Sequence, residues 1–156
     1  MSFQVQSSLN HDSAAVKRTI CDEDFVTHMA ERFDGSVHSF SSAGNANNPK
    51  IHTTLLVPTS NFPETVQKFL PNPLSVTMKI QFTGNEADVE LNPAKVPADV
   101  KMQLTLTDSD SGCDAVVEGV VNCTIPFVGN KVAAGVESAL PAVLKKALEA
   151  VDAAAN

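Results

Sequence analysis

The 156 residues carry 11 Lys and Arg against 18 Asp and Glu, a formal charge of −7, with 43% apolar and 19% charged residues. That apolar share excludes a disordered chain, and the acidic balance without a basic run excludes a nucleic-acid partner, because phosphate-backbone affinity comes from clustered Lys and Arg displacing counterions. The length suits one domain, residues 1–156, with a core large enough to stand without disulfides.

The first six residues form neither a basic nor an apolar stretch, so no leader is expected and the chain reads as cytoplasmic. Phe3, Val5 and Leu9 alternate with Gln4, Gln6 and Ser8, which predicts a half-buried strand. Asp12 or Ser13 then caps a short helix carrying Val16 and Ile20 on one face. Asp22, Glu23 and Asp24 open a second helix, where the dipole favours acids, with Phe25, Met29 and Phe33 every four positions and Gly35 as its end. Residues 37–40 and 51–57 read as strands joined by the polar segment 43–49. Phe62-Pro63-Glu64 starts another helix with Val66, Phe69 and Leu70 on its apolar side, stopped by Pro71 and Pro73. Prolines at both ends make it a candidate lid.

From residue 74 the alternation is clearest. Leu74, Val76, Met78, Ile80 and Phe82 share one face, Gly84-Asn85 suits a two-residue hairpin, and Val89 and Leu91 lie on the return strand. Val100, Met102, Leu104 and Leu106 repeat the pattern. Asp108 to Gly112 turns the chain into a last strand over 113–125, with Gly119 as a candidate bulge. The tail predicts a helix from 131 to 151 with Val132, Val136, Ala139, Leu140, Val143 and Ala147 on its inner face and a kink at Pro141. Its charged residues, Glu137, Lys145, Lys146 and Glu149, keep it from reading as a membrane span.

No motif brings a reaction or a cofactor with it: no G-x-S-x-G, no phosphate-binding loop, no H-E-x-x-H. Asp108-Ser109-Asp110 lacks the glycine and bidentate glutamate of a calcium loop. His38 and His52 sit in adjacent strands and are the candidates for a polar contact inside the fold, but two imidazoles without a third ligand make no zinc site, so no metal is expected. Cys113 and Cys123 are about 33 Å apart along one straight strand, beyond disulfide reach. Cys123 points inward by parity with Val117 and Val121, as a packed thiol.

The order strand, paired short helices, antiparallel strands and long terminal helix resembles the helix-grip architecture of the START-like superfamily, with its polyketide cyclase-type members. Ile125-Pro126-Phe127-Val128-Gly129-Asn130-Lys131-Val132 and Phe69-Leu70-Pro71-Asn72-Pro73-Leu74-Ser75-Val76 are similar to one actinobacterial branch, a domain of unknown function. The resemblance implies an α+β fold, a curved sheet of about seven strands around the terminal helix, with an elongated apolar cavity between them. It supplies no catalytic residues, and the chain lacks the Trp and Tyr that relatives often carry. The expected partner is a small apolar ligand, lipid-like or polycyclic, bound against Met78, Ile80, Phe82, Met102, Leu104, Leu106, Val136, Ala139, Leu140 and Val143. A cyclase or dehydratase using His38 or His52, and an interaction module with a filled core, are the competing readings.

Overall fold

The structure, a computed structural model, describes residues 2–155. In chain order it runs β1 (Ser2–Leu9), α1 (Ser13–Ile20), α2 (Glu23–Arg32), β2 (Ser36–Gly44), β3 (Pro49–Val57), a 3-10 turn (Thr59–Asn61), α3 (Glu64–Gln67), β4 (Leu74–Thr83), β5 (Glu86–Pro93), β6 (Ala98–Ser109), β7 (Gly112–Cys123) and α4 (Gly129–Ala154). The strands form one seven-stranded sheet in the order β1-β7-β6-β5-β4-β3-β2, antiparallel at every pairing. This is the expected α+β helix-grip arrangement. β1 and β2 occupy opposite edges, so α1 and α2 carry the chain across the sheet before it folds back strand by strand.

Local chemistry explains the starts and stops. The Asp12 carboxylate accepts from the Ala15 N–H at 2.9 Å, and Asp22 accepts from Phe25 N–H at 3.2 Å, so each short helix has its N-cap. The residue in the left-handed region after α2 is Asp34, φ 60°, not Gly35, whose N–H closes on the Ala30 carbonyl at 2.8 Å. Gly84, φ 64°, makes the two-residue turn between β4 and β5 that its sequence predicts. α3 is only one turn long, shorter than its apolar pattern suggests, because Lys68 already ends it. The expected bulge at Gly119 does not form: pairing with β1 and β6 stays in register there. Gly119 is small for packing instead, since a Cβ would come within 2.5 Å of the Phe3 ring and 2.7 Å of Met102.

α4 lies closest to β1 and β7 and runs on through Pro141, which removes the N–H that would bond the Glu137 carbonyl. Its sheet-facing stripe is Ala133, Val136, Leu140, Leu144, Leu148 and Val151. Ala139, Val143 and Ala147 are turned away from that stripe by up to about 100°, one residue of helical period. α2 shows the same rotation: Val26 and Ala30 are buried, while Phe25 and Met29 stay half-exposed.

One end of the molecule is closed by polar ties. Lys17, 5% exposed, donates from Nζ to the carbonyls of Asn47 and Gly84, both at 3.0 Å. Asn10 bonds the Asp152 carboxylate through its backbone N–H and its side chain, each at 2.7 Å. Asp108 accepts from the Ser13 N–H at 2.7 Å and the Ser13 hydroxyl at 2.8 Å. Those donors, the backbone N–H foremost, hold its carboxyl below the usual 3.8. A carboxyl that ionises more readily folded than unfolded stabilises fully above its unfolded pKa and loses that contribution as pH falls through the folded value. Asp108→Asn should therefore be less stable than the parent at neutral pH, with the gap closing below about pH 4. Urea unfolding across that range reads it; a gap independent of pH would show that the charge contributes nothing.

Candidate functional site

The sheet's inner face is set by strand parity. Ile51, Thr53 and Leu55 of β3 stand opposite Ile80, Met78 and Val76 of β4, and Met78, Ile80 and Phe82 opposite Leu91, Val89 and Ala87 of β5. Thr53 is the polar member of this set, and its hydroxyl donates to the Ser39 carbonyl at 2.6 Å. Along β4, β5 and β6 as far as Leu106, every titratable side chain falls on the other face; Asp108, beyond it, belongs to the closed end.

Burial along this face is uneven. Ile80, Phe82, Met102, Leu104 and Leu106 are buried, forming a filled core toward the closed end with Ile51, Val16 and Leu148. Toward the other end, Leu55, Met78, Val89 and Leu91 pack against the core yet remain half-exposed, as do Val136 and Leu140 of α4. The reason is the path of the helix. By following β1 and β7, α4 leaves the β3–β5 side of the concave face less covered there. α3 packs on α4 instead, fixed by Val66, 1% exposed, against Gly135, where a Cβ would come within 2.5 Å of a Val66 methyl.

The other nominated positions fall elsewhere. Val143 lines a cleft of about 600 Å³ between α2 and α4, beside Met29, Arg32 and Phe33. An adjoining cleft of about 630 Å³ continues past Phe25 and His28 toward Arg18. Ala139 is half-buried on the same flank. The two histidines do not converge. His52 is exposed on the outer face, paired with Ser41 and Lys79. His38 is exposed at a register shift in β2 and lines a separate cleft against Glu23, Thr27 and Glu31 of α2. The bulge places His38 out of step with His52, so neither contributes a polar group to the inner face. Missed from the sequence were Leu55, Val89 and Leu91; the alternation of β5 was visible, whereas Thr53 interrupts the apolar pattern of β3.

Among the described residues no group of three or more His, Cys, Asp or Glu is placed to hold a metal ion. Burial pushes the Cys113 thiol up to about 11, helped by the nearby Asp108 carboxylate, and burial does the same for Cys21, also to about 11, against the opposing pull of Lys17. Both are protonated and unreactive at neutral pH.

The profile of the family described as "Protein of unknown function (DUF2505)" matches residues 4–153. The chain belongs to that family. No curated protein matches its sequence. Among solved structures it is similar to a START superfamily protein from Mycobacterium smegmatis, at 12% identity and a TM-score of 0.64, covering 100% of this chain and 98% of that one. A protein of Thermus thermophilus matches at 12% identity and a TM-score of 0.62 over 100% of both chains. The di-domain ARO/CYC protein BexL of the BE-7585A biosynthetic pathway matches at 13% identity and a TM-score of 0.62, over 100% of this chain and 50% of BexL. At these identities the likeness establishes the START-like fold of this DUF2505 chain. No helix among the described residues is long and apolar enough to cross a membrane.

Proposed function

We propose that this DUF2505 protein binds a small apolar ligand, lipid-like or polycyclic, in the mouth between β3–β5 and the first half of α4. The observation that carries the reading is the set of inward apolar side chains, Met78, Leu91 and Leu140 among them, that the fold leaves half-exposed. Ordinary cores cover such residues, and an apolar concavity of this kind gains free energy when a guest removes its surface from water. Met78 adds an adaptable wall, since its thioether reshapes at low cost. The filled end, around Phe82 and Leu106, serves as the floor rather than the ligand site. We read the protein as a carrier without a catalytic step, in one domain, because the inward positions of β4–β6 around the mouth bear no acid or base that could protonate or deprotonate a guest.

Native mass spectrometry of freshly purified protein tests this. A co-purified apolar adduct, displaced by an environment-sensitive apolar dye that binds the delipidated protein at one site, is the expected result. Neither adduct nor dye binding, with the protein unfolding in one cooperative step, would sink the carrier reading and leave a filled interaction module.

A further inference from the structure

The segment joining β7 to α4 displays a residue that no part of the fold uses. Phe127 is fully in solvent, with a relative exposure of 108%, and its backbone lies in the left-handed region at φ 69°. Both features cost free energy: an uncovered aromatic ring, and a backbone conformation that a bulky side chain rarely adopts. The segment is nevertheless held firmly. Thr124 donates from its N–H to the Pro97 carbonyl at 2.8 Å and from its hydroxyl at 3.2 Å, and the Gly129 N–H returns to the Ile125 carbonyl at 2.8 Å. The ring is thus presented by a tied loop.

Two exposed lysines flank it in a chain that is acidic overall. The bonds to Pro97 bring the β5–β6 loop alongside, with Lys95 exposed and itself left-handed at φ 65°. Lys131 is exposed in the first turn of α4; among the described residues the one acid beside the β5–β6 loop, Asp99, accepts from the Asn122 amide at 3.0 Å, away from Lys95 along β6. Asp12, Asp108, Asp110 and Asp152 lie at the opposite, closed end.

We propose that this tip docks the protein on an anionic lipid bilayer, with Phe127 entering the interface and Lys95 and Lys131 meeting head-group phosphates. A protein partner of ordinary affinity needs a patch of about 800 Å² on each side. A single projecting ring flanked by ammonium groups offers far less, and is what an interface of hydrocarbon beneath anionic head groups accepts. The proposal goes beyond ligand binding and stands without it, since none of its residues lines the apolar mouth.

Co-sedimentation of the full chain with phosphatidylcholine vesicles, with and without phosphatidylglycerol, tests it. Binding is expected only with phosphatidylglycerol, and should fade at high salt. Phe127→Asn keeps a residue that tolerates the left-handed backbone and should weaken binding by about tenfold or more; Lys95→Glu and Lys131→Glu together should abolish it. Phe127→Trp introduces the sole indole of the chain, whose emission should move to shorter wavelength on adding these vesicles. The proposal is overturned if the parent ignores both vesicle types, binds them regardless of charge, or is matched by Phe127→Asn. A blue shift that grows with protein concentration without lipid would assign the tip to contact with a second copy instead.

Discussion

Phe82→Ala should lower the free energy of unfolding by about 3–5 kcal/mol, while Met78→Ala, on the same face of the same strand, should cost only about 1 kcal/mol. Periodicity treats the two positions alike. Their surroundings do not. Phe82 is 0% exposed and faces Ala87, itself 1% exposed, across the β4–β5 pair, so the small residue makes room for the ring and truncation leaves a void. The neighbouring turn is tied by the Lys17 bond to Gly84 and the Leu106 N–H bond to Asn85 at 2.8 Å, which limits collapse into that void. Met78 faces Leu91 with both half-exposed, so its removal uncovers less surface and opens space that already meets solvent. Urea unfolding followed by far-ultraviolet circular dichroism suits a chain without Trp or Tyr. Equal losses at the two positions would mean that the space between sheet and helix is uniformly filled, and the proposed mouth would not exist.

Strand parity was the most legible feature of the sequence, because a period of two leaves only one assignment once one face must be buried. Leu74 to Phe82, Val100 to Leu106 and the inward Cys123 all follow from it. The cap of α1 was legible down to Asp12 or Ser13, because a short acceptor before an amphipathic run has a definite partner, the orphan N–H groups of the first turn; that Asp22 caps α2 was not read, only that acids suit its start. Helix rotation was not legible. α4 carries two apolar flanks, Leu140-Leu144-Leu148 and Ala139-Val143-Ala147, and α2 likewise carries Val26-Ala30 and Phe25-Met29. A helical period identifies both flanks without choosing between them. Packing chooses: the first of each pair meets the fold's interior, whereas Val143, Phe25 and Met29 of the second line the clefts between α2 and α4. Gly119 was ambiguous for a different reason, since a bulge and a close approach by a ring both select glycine, and only the opposed Phe3 decides. Nor does any periodicity encode how far α4 reaches over the sheet, which is what separates buried Phe82 from half-exposed Met78.

Leu140→Trp should leave stability within about 1 kcal/mol of the parent and remove binding of an apolar dye. Leu140 lies on the sheet-facing stripe of α4 and is half-exposed. If the proposed mouth lies beside this position, an indole there takes the volume a guest would use. In a close-packed region the same enlargement typically costs about 1–3 kcal/mol, because neighbours must leave their rotamers. Leu148, two turns along the same stripe and 5% exposed, supplies that comparison: Leu148→Trp should show the full penalty and spare dye binding. Val143→Trp adds the control for rotation, since position 143 opens on the cleft beside α2 and an indole there should change neither property strongly. The native chain contains no Trp, so each variant reports its own site, with the most shielded emission expected from position 148 and an emission at position 140 that no added dye perturbs. If Leu140→Trp instead loses as much stability as Leu148→Trp, and the parent binds no dye, the half-exposed side chains form a shallow rim over a solid core. The fold would then offer its outer surfaces, and not its interior, to whatever it meets.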